Sequence, residues 1–164
     1  MSNPSDEQKK WFEAYVSKVN EGIILPPKAG KHYTCPCCGY PTLGERGAYD
    51  ICGLCNWEDD GQDDPHADEV WGGPNGSYSL TEARENFTRH KIMYGPPKGD
   101  TRVGGSDSAK EAEAKIAIMH AFNALKSEKD AARIQALQRA IEHAQQTLSD
   151  EMQRRVNDHE KGDR

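Results

Sequence analysis

The chain is poor in the residues that build large interiors: 35% of its 164 positions are apolar and 7% aromatic. A core drawn from so few side chains must be small, and cores of this kind lean on a metal or a disulfide. No run approaches the roughly 20 apolar residues of a membrane-spanning helix. Residues Met1 to Gln8 lack the basic start and apolar stretch of a secretory signal, and neither Ser2 nor the Lys161-Gly162-Asp163-Arg164 end fits a lipidation motif. The expected compartment is therefore the cytoplasm, where cysteine pairs serve as metal ligands more often than as disulfides. Enzyme signatures are missing too. There is no H-E-x-x-H, phosphate-binding loop, G-x-S-x-G or dinucleotide fingerprint, and no solenoid repeat, so no catalysis is expected. Nor is there a basic excess: 21 Lys and Arg stand against 27 Asp and Glu, a formal charge of -6. A generic nucleic-acid binder needs the opposite balance, because phosphate contacts require a basic face.

What is present is strongly zoned. The acid excess is confined to residues 31–100, with twelve acids against six bases, whereas residues 1–30 and 101–164 are balanced. Residues 4–19 read as an amphipathic helix, with Pro4 at its start and Trp11, Phe12, Tyr15, Val16 and Val19 at helical spacing. Gly22 ends it, and Ile23-Ile24-Leu25-Pro26-Pro27 reads as an extended arm. From Tyr33 to Tyr94 the chain consists of short runs broken by Gly, Pro and Cys, and the Gly- and Pro-rich stretch to Gly105 is a connector. Ser106 to Lys161 contains neither Gly nor Pro. Two helices are expected there, roughly 27 and 45 Å long, folded back as an αα-hairpin with the longer arm overhanging. Ala109, Ala112, Ile116, Met119, Phe122 and Leu125 form the apolar face of the first. Ser127 to Asp130 would cap the second, whose Ile134, Leu137, Ile141, Ala144, Leu148, Met152 and Val156 repeat like a coiled-coil seam and offer a route to self-association. The expected organisation is 1–30 helix and arm, 31–95 cysteine domain, 96–105 linker and 106–161 hairpin.

The chemistry concentrates in Cys35-Pro36-Cys37-Cys38-Gly39 and Cys52-Gly53-Leu54-Cys55. Cys35 and Cys38, then Cys52 and Cys55, give two C-x-x-C pairs thirteen residues apart. Two intervening residues let each pair wrap a tight turn, and four thiolates complete a tetrahedron around Zn2+ at about 2.3 Å. Gly39 and Gly53 would free the backbone in the two knuckles. The stretch between fits a hairpin, Tyr40–Leu43 out and Ala48–Ile51 back around Gly44–Gly47. The expected fold class is α+β: a small, four-cysteine, zinc-ribbon-like β core with a short helix, flanked by the N-terminal helix and the C-terminal hairpin. A four-thiolate set leaves no open coordination position, so one structural Zn2+ is expected. Cys37 is left over as a spare thiol, a substitute ligand or a redox-sensitive neighbour.

Tyr33-Thr34-Cys35-Pro36-Cys37-Cys38-Gly39-Tyr40, Ile51-Cys52-Gly53-Leu54-Cys55-Asn56-Trp57 with its acidic follow-on, and Gly72-Gly73-Pro74-Asn75 with Ser79–Phe87 together resemble the bacterial cysteine-rich CPCC family over residues 32–95. The resemblance implies a small metal-bound domain and no particular reaction.

The second knuckle runs into Glu58, Asp59, Asp60, Asp63, Asp64, Asp68 and Glu69, with no Lys or Arg between them. Seven negative charges in twelve residues repel unless something offsets them. An EF-hand is excluded: with Gly61 sixth in the loop, Ala67 stands where a bidentate Glu is required. A solvated loop, a docking face for a basic partner, and a looser cation or carboxylate site using Asp60, Asp63, Asp64 and His66 remain. Ser79-Leu80-Thr81-Glu82 opens a helix to about Lys91, with Leu80, Ala83 and Phe87 on one face, packed near Trp57 or Trp71. Arg84 on this helix is placed to pair with the acidic loop, and His32 to support the first knuckle. The leading expectation is a non-enzymatic protein-binding module, an immunity or antitoxin-type protein whose acidic face neutralises a basic partner such as a toxin nuclease. Two alternatives are a nucleic-acid-binding zinc ribbon, opposed by the scarcity of bases in residues 31–56, and a metal-dependent enzyme using the acidic loop. Four thiolates on one Zn2+ would add a further -2 to the charge of this region.

Overall fold

The computed structural model describes residues 4–24, 32–102 and 105–162. Most of the expected arm at residues 23–27 lies outside them. Four helices are present: α1 (Pro4–Asn20), α2 (Leu80–His90), α3 (Ala109–Leu125) and α4 (Ala131–Gly162), with short 3-10 turns at Asp64–His66 and Gly73–Asn75. The chain divides into two compact units, Met1–Gly99 and Asp100–Arg164. No described helix is long and apolar enough to cross a membrane.

The expected β core is not there. Among the described residues no strand forms, and the only pairings are two isolated antiparallel bridges, Tyr33 with Leu43 and Ile51 with Glu58. Neither lies in the expected Tyr40–Ile51 hairpin. Each instead closes the base of one cysteine knuckle, the first through Tyr33 N–H to Leu43 O at 2.8 Å and Leu43 N–H to Tyr33 O at 3.1 Å. The reason is competition from side chains and from other backbone segments. The Asp50 carboxylate accepts the amides of Gly44 and Glu45, both at 3.1 Å, and Asp59 accepts that of Gly47 at 2.7 Å. The amides of the expected turn are thus committed to carboxylates, and those of the expected strands pair elsewhere, Leu43 N–H with Tyr33 O at 3.1 Å and Tyr49 N–H with Asp59 O at 2.9 Å. The fold class is helical.

In the first unit α1 and α2 grip the knuckles between them. Phe12, Tyr15, Val16 and Val19 bury one face of α1, and Phe12 meets Tyr40 with ring centroids 5.1 Å apart. Tyr40 meets Phe87 of α2 edge-on at 6.3 Å. Leu80, Ala83 and Phe87 form the buried face of α2, and Trp57 lies fully buried in the core, while Trp71 is exposed. The Ser79 hydroxyl caps α2 by accepting the Glu82 amide at 3.1 Å, and the Glu82 carboxylate turns to Lys98 at 2.8 Å. At the other end of α1, the Asn20 side chain clamps the His32 main chain through N–H and C=O, both at 2.9 Å.

Beyond α2 the chain is pinned back against the second knuckle. Met93 N–H donates to Cys55 O at 2.8 Å, the Asn86 amide donates to Met93 O at 2.8 Å, and the Tyr78 hydroxyl donates to Gly99 O at 2.8 Å while accepting the Gly95 amide at 3.1 Å. A Cβ on Gly95 would meet Asn86 Oδ1 at 2.5 Å. Gly95→Ala should therefore destabilise the protein by about 1–3 kcal/mol, the usual cost of forcing an extra methyl into a packed site, measurable by urea denaturation.

The second unit is an αα-hairpin. Ser108 and Glu111 form a reciprocal capping box at the start of α3. At the start of α4 the cap is Asp130, whose carboxylate accepts the Arg133 amide at 3.0 Å, and not Ser127, whose hydroxyl donates to Ala124 O at 3.5 Å. Ile141, Ala144 and Leu148 of the expected seam are buried, with Ile134, Leu137, Met152 and Val156 at its half-buried margins. The expected face of α3 is rotated. Ala114, Ile118, Ala121, Phe122 and Leu125 are buried, and Ile116 is 50% exposed. Alanines spread all round α3 make its apolar period ambiguous, and two charges settle the rotation. Glu111 and Lys115 are both buried, paired with Arg155 and Asp107. At 32 residues, α4 is roughly 48 Å long against roughly 26 Å for the 17 of α3.

This unit has an acid-sensitive end. Burial pushes the Asp107 carboxyl up, but Lys115 at 2.8 Å and Arg102 beside it more than offset that and hold it below the usual aspartate value; Asp100 is lowered likewise, mainly by Arg102. A carboxyl lowered in the folded state stabilises fully above its unfolded pKa of about 3.9 and loses that contribution as pH falls through the folded value. The thermal midpoint of the hairpin, followed by far-ultraviolet circular dichroism, should therefore drop below about pH 4, and Asp107→Asn should flatten the drop.

Candidate metal centre

Each C-x-x-C pair sits at the tip of a one-bridge arm, and the two arms repeat the same hydrogen bonds. In the first, Gly39 N–H donates to Cys35 O at 2.8 Å and Cys35 N–H to Tyr40 O at 2.9 Å. In the second, Asn56 N–H donates to Cys52 O and Cys52 N–H to Trp57 O, both at 2.9 Å. The residue after each pair lies in the left-handed region, Gly39 at φ 78° and Asn56 at φ 70°. Asn56, not Gly53, therefore does in the second knuckle what Gly39 does in the first. Asn tolerates this conformation better than other side chains do, and its amide also donates to the Tyr94 hydroxyl at 2.9 Å. Asn56→Val should cost about 1–3 kcal/mol by strain, whereas Asn56→Gly should lose only the Tyr94 bond. Thermal denaturation of the two variants separates these outcomes.

The arms bring all four sulfurs together. The Sγ atoms of Cys35 and Cys55 are 3.6 Å apart, as are those of Cys38 and Cys52, and the four lie within 4.8 Å of one another. All four residues are buried. A tetrahedral site with metal–sulfur bonds of about 2.3 Å requires sulfurs about 3.8 Å apart, so the two 3.6 Å separations lie close to that value and the set could hold a metal ion. Donors already face the sulfurs: the Cys55 amide lies 3.5 Å from Cys52 Sγ, the Trp57 amide 3.5 Å from Cys55 Sγ, and Thr42 Oγ1 3.0 Å from Cys52 Sγ.

The electrostatics point the same way. Burial pushes the thiols of Cys35, Cys38 and Cys55 well up from their ordinary value. Burial acts on Cys52 as well, but hydrogen bonds from the other three cysteines and the Cys55 amide outweigh it and draw its pKa down. Burial thus disfavours four thiolates at this range unless a cation lies among them. Cys37, also buried, stands outside the four-sulfur set, and its thiol is raised by burial against a hydrogen bond to Cys55.

Residues 33–97 match the profile of the cysteine-rich CPCC family, taking in both knuckles, the acidic segment and α2. This segment is a cysteine-rich CPCC domain. Searches among curated proteins and among solved structures found no match. The CPCC domain and α1 lie in the same compact unit, although α1 is outside the matched residues.

The acidic segment of the CPCC domain does not behave as one uniform face. Asp59 is fully buried, accepting Arg46 Nε at 2.8 Å and the amides of Gly47 and Gly61 at 2.7 and 3.2 Å. Asp63 takes the other arm of Arg46 at 2.9 Å, and Asp64 takes Arg84 at 2.7 Å and Lys9 of α1 at 3.4 Å. Arg84 also donates to Pro36 O at 2.8 Å, tying α2 to the first knuckle. Arg84 above all holds the Asp64 carboxyl below its ordinary value; at Asp63 burial opposes the lowering but Arg46, the Asp64 amide and Lys9 prevail. The remaining four acids have no such partner. Asp60 binds the Gln62 amide groups at 3.1 and 3.0 Å, Asp68 accepts the Thr81 hydroxyl at 2.6 Å, and Glu69 meets His66 Nδ1 at 2.7 Å. Glu58 is held through its backbone, bracketed by the Asn75 side chain at 3.0 and 2.8 Å. Among the described residues, no Lys or Arg pairs with Glu58, Asp60, Asp68 or Glu69. The four cysteines are also the only group of metal-ligating side chains gathered tightly enough to hold an ion, among the described residues.

Sequence reasoning missed Thr42, Asn56 and Arg46 as supports of the site. The first has no signal in the sequence. The second has one: Cys38-Gly39-Tyr40 and Cys55-Asn56-Trp57 share a left-handed-tolerant residue followed by an aromatic.

Proposed function

We propose that this chain is a metal-stapled, non-enzymatic protein-binding module whose ion is Zn2+, held by Cys35, Cys38, Cys52 and Cys55, and whose acidic segment receives a basic partner. Immunity and antitoxin proteins that cover basic nucleases are the nearest functional analogy. One observation carries the reading: three of the seven acids are neutralised within the fold, while Glu58, Asp60, Asp68 and Glu69 have no Lys or Arg partner among the described residues. Carboxylates without a Lys or Arg partner favour capture of a cationic surface and speed its encounter. Four thiolates fill the coordination of the ion, so its part is to hold the surface in shape.

The test has two arms. Elemental analysis with native mass should find one zinc per chain. The zinc-loaded protein, immobilised at low salt, should retain a basic protein that steep salt releases, and the variant Glu58→Gln, Asp60→Asn, Asp68→Asn, Glu69→Gln should not retain it. Equal retention by the variant, or retention of nucleic acid in place of protein, sinks the proposal.

A further inference from the structure

Six large apolar side chains are exposed among the described residues, and two of them, Val70 at 53% and Trp71 at 47%, follow directly on Asp68 and Glu69. Exposed tryptophan is unusual enough to ask what it meets. Here its surroundings are organised. Trp71 Nε1 donates to Glu69 Oε2 at 3.4 Å, and His66 Nδ1 contacts the same oxygen at 2.7 Å. The His66 and Trp71 rings lie 5.5 Å apart, tilted by 50°. The corner is built on a short turn whose ends are fixed. Asp63 accepts the Asp64 amide at 2.8 Å, Glu69 N–H donates to His66 O at 3.0 Å, and Thr81 N–H donates to Ala67 O at 2.8 Å. One oxygen of Glu69 is thus committed twice within the corner, and among the described residues the other accepts no hydrogen bond.

We infer that Trp71 and Glu69 form a recognition corner for a single Lys or Arg side chain of a basic protein segment, the cation lying over the Trp71 ring and pairing with the Glu69 carboxylate. An indole face is the strongest of the aromatic cation acceptors, and a carboxylate at its edge supplies the opposite charge. Asp68 beside it and Val70 between the two extend the match to a basic segment with an apolar neighbour. The occupant follows from the charge: two carboxylates and an indole, with the His66 ring beside them and no Lys or Arg paired to either acid among the described residues, favour a cation and disfavour a phosphate or a carboxylate. This inference rests on the proposed function and assigns its contact point.

The experiment uses the metal-loaded full chain and an octa-arginine peptide at low salt, read by the indole N–H resonances of Trp11, Trp57 and Trp71 in nitrogen–proton correlation spectra. The Trp71 indole resonance, assigned by its loss in Trp71→Leu, should shift on titration while that of buried Trp57 stays. Trp71→Leu and Glu69→Gln should each weaken binding by about two- to five-fold, the range for one exposed cation–π contact or ion pair. An octa-glutamate peptide should leave the spectrum unchanged. If octa-arginine binds with salt sensitivity, is weakened by Glu58→Gln and Asp60→Asn, but is indifferent to Trp71→Leu and Glu69→Gln, the corner is wrong and the acidic-surface reading survives. If octa-arginine does not bind at all, both fall.

Discussion

Replacing Cys52 with serine, or removing the metal with a chelator, is expected to unfold the CPCC domain outright. The domain has little else to organise it. Its regular backbone pairing amounts to two isolated bridges among the described residues, and each bridge closes a knuckle whose tip carries two of the sulfurs. Free energies of structural zinc sites in small peptides are about 10–16 kcal/mol, as large as the whole stability of a typical domain at about 5–15 kcal/mol. Losing one of four thiolates therefore removes more than the fold has to spare. Cys52 is the most informative position, because it receives the Cys55 amide and Thr42 Oγ1 and is the one cysteine whose pKa is drawn down. Cys37 is the internal control. It too is buried but lies outside the set, so Cys37→Ser should keep the metal and cost about 1 kcal/mol, in line with an ordinary core substitution. The measurements are metal content per chain and the emission of Trp57, which is fully buried and should move to longer wavelength when the knuckles open. A Cys52→Ser protein that still unfolds cooperatively with Trp57 buried would show that packing alone holds the knuckles.

Which parts of this architecture could be read from the sequence follows the range of the interactions involved. The gathering of four cysteines could be read because a C-x-x-C turn is local chemistry, and so could α1, α2 and the hairpin, where helical period and the absence of Gly and Pro act over a few residues. The β core failed at the point where long-range partners decide. Gly44–Gly47 does turn the chain, but Asp50 and Asp59 take its amides, and nothing in the 40–51 stretch reveals that Asp59 is buried beneath it. The face of α3 failed for a different reason. With alanine on every side of that helix, apolar spacing cannot choose a rotation, and the choice falls to Glu111 and Lys115, whose partners Arg155 and Asp107 are invisible to a hydrophobic count. The acidic segment was legible as composition and not as structure. Its neutralising bases come from α1, from the turn after the first knuckle and from α2, and Lys9 reaches Asp64 across 55 positions of sequence.

That division within the acidic segment predicts a large asymmetry between substitutions of similar chemistry. Arg46→Met should destabilise the metal-loaded protein by about 3–5 kcal/mol, the range for stripping one partner from a buried ion pair. The Asp59 side chain is 0% exposed, and without the guanidinium its charge would rest on the Gly47 and Gly61 amides alone. Arg46→Lys should recover only part of the loss, because an ammonium cannot span Asp59 and Asp63 as the two arms of the guanidinium do at 2.8 and 2.9 Å. Combining Arg46→Met with Asp59→Asn should be milder than Arg46→Met alone, since the uncompensated charge is then gone. Asp68→Asn and Glu69→Gln, on exposed residues without Lys or Arg partners, should stay within about 0.5 kcal/mol of the parent. Guanidinium denaturation with metal in excess gives all five values. Equal costs at Arg46 and Glu69 would mean that the seven acids form one solvated stretch, and the separation between acids that hold the fold and acids left for a partner would have to be abandoned.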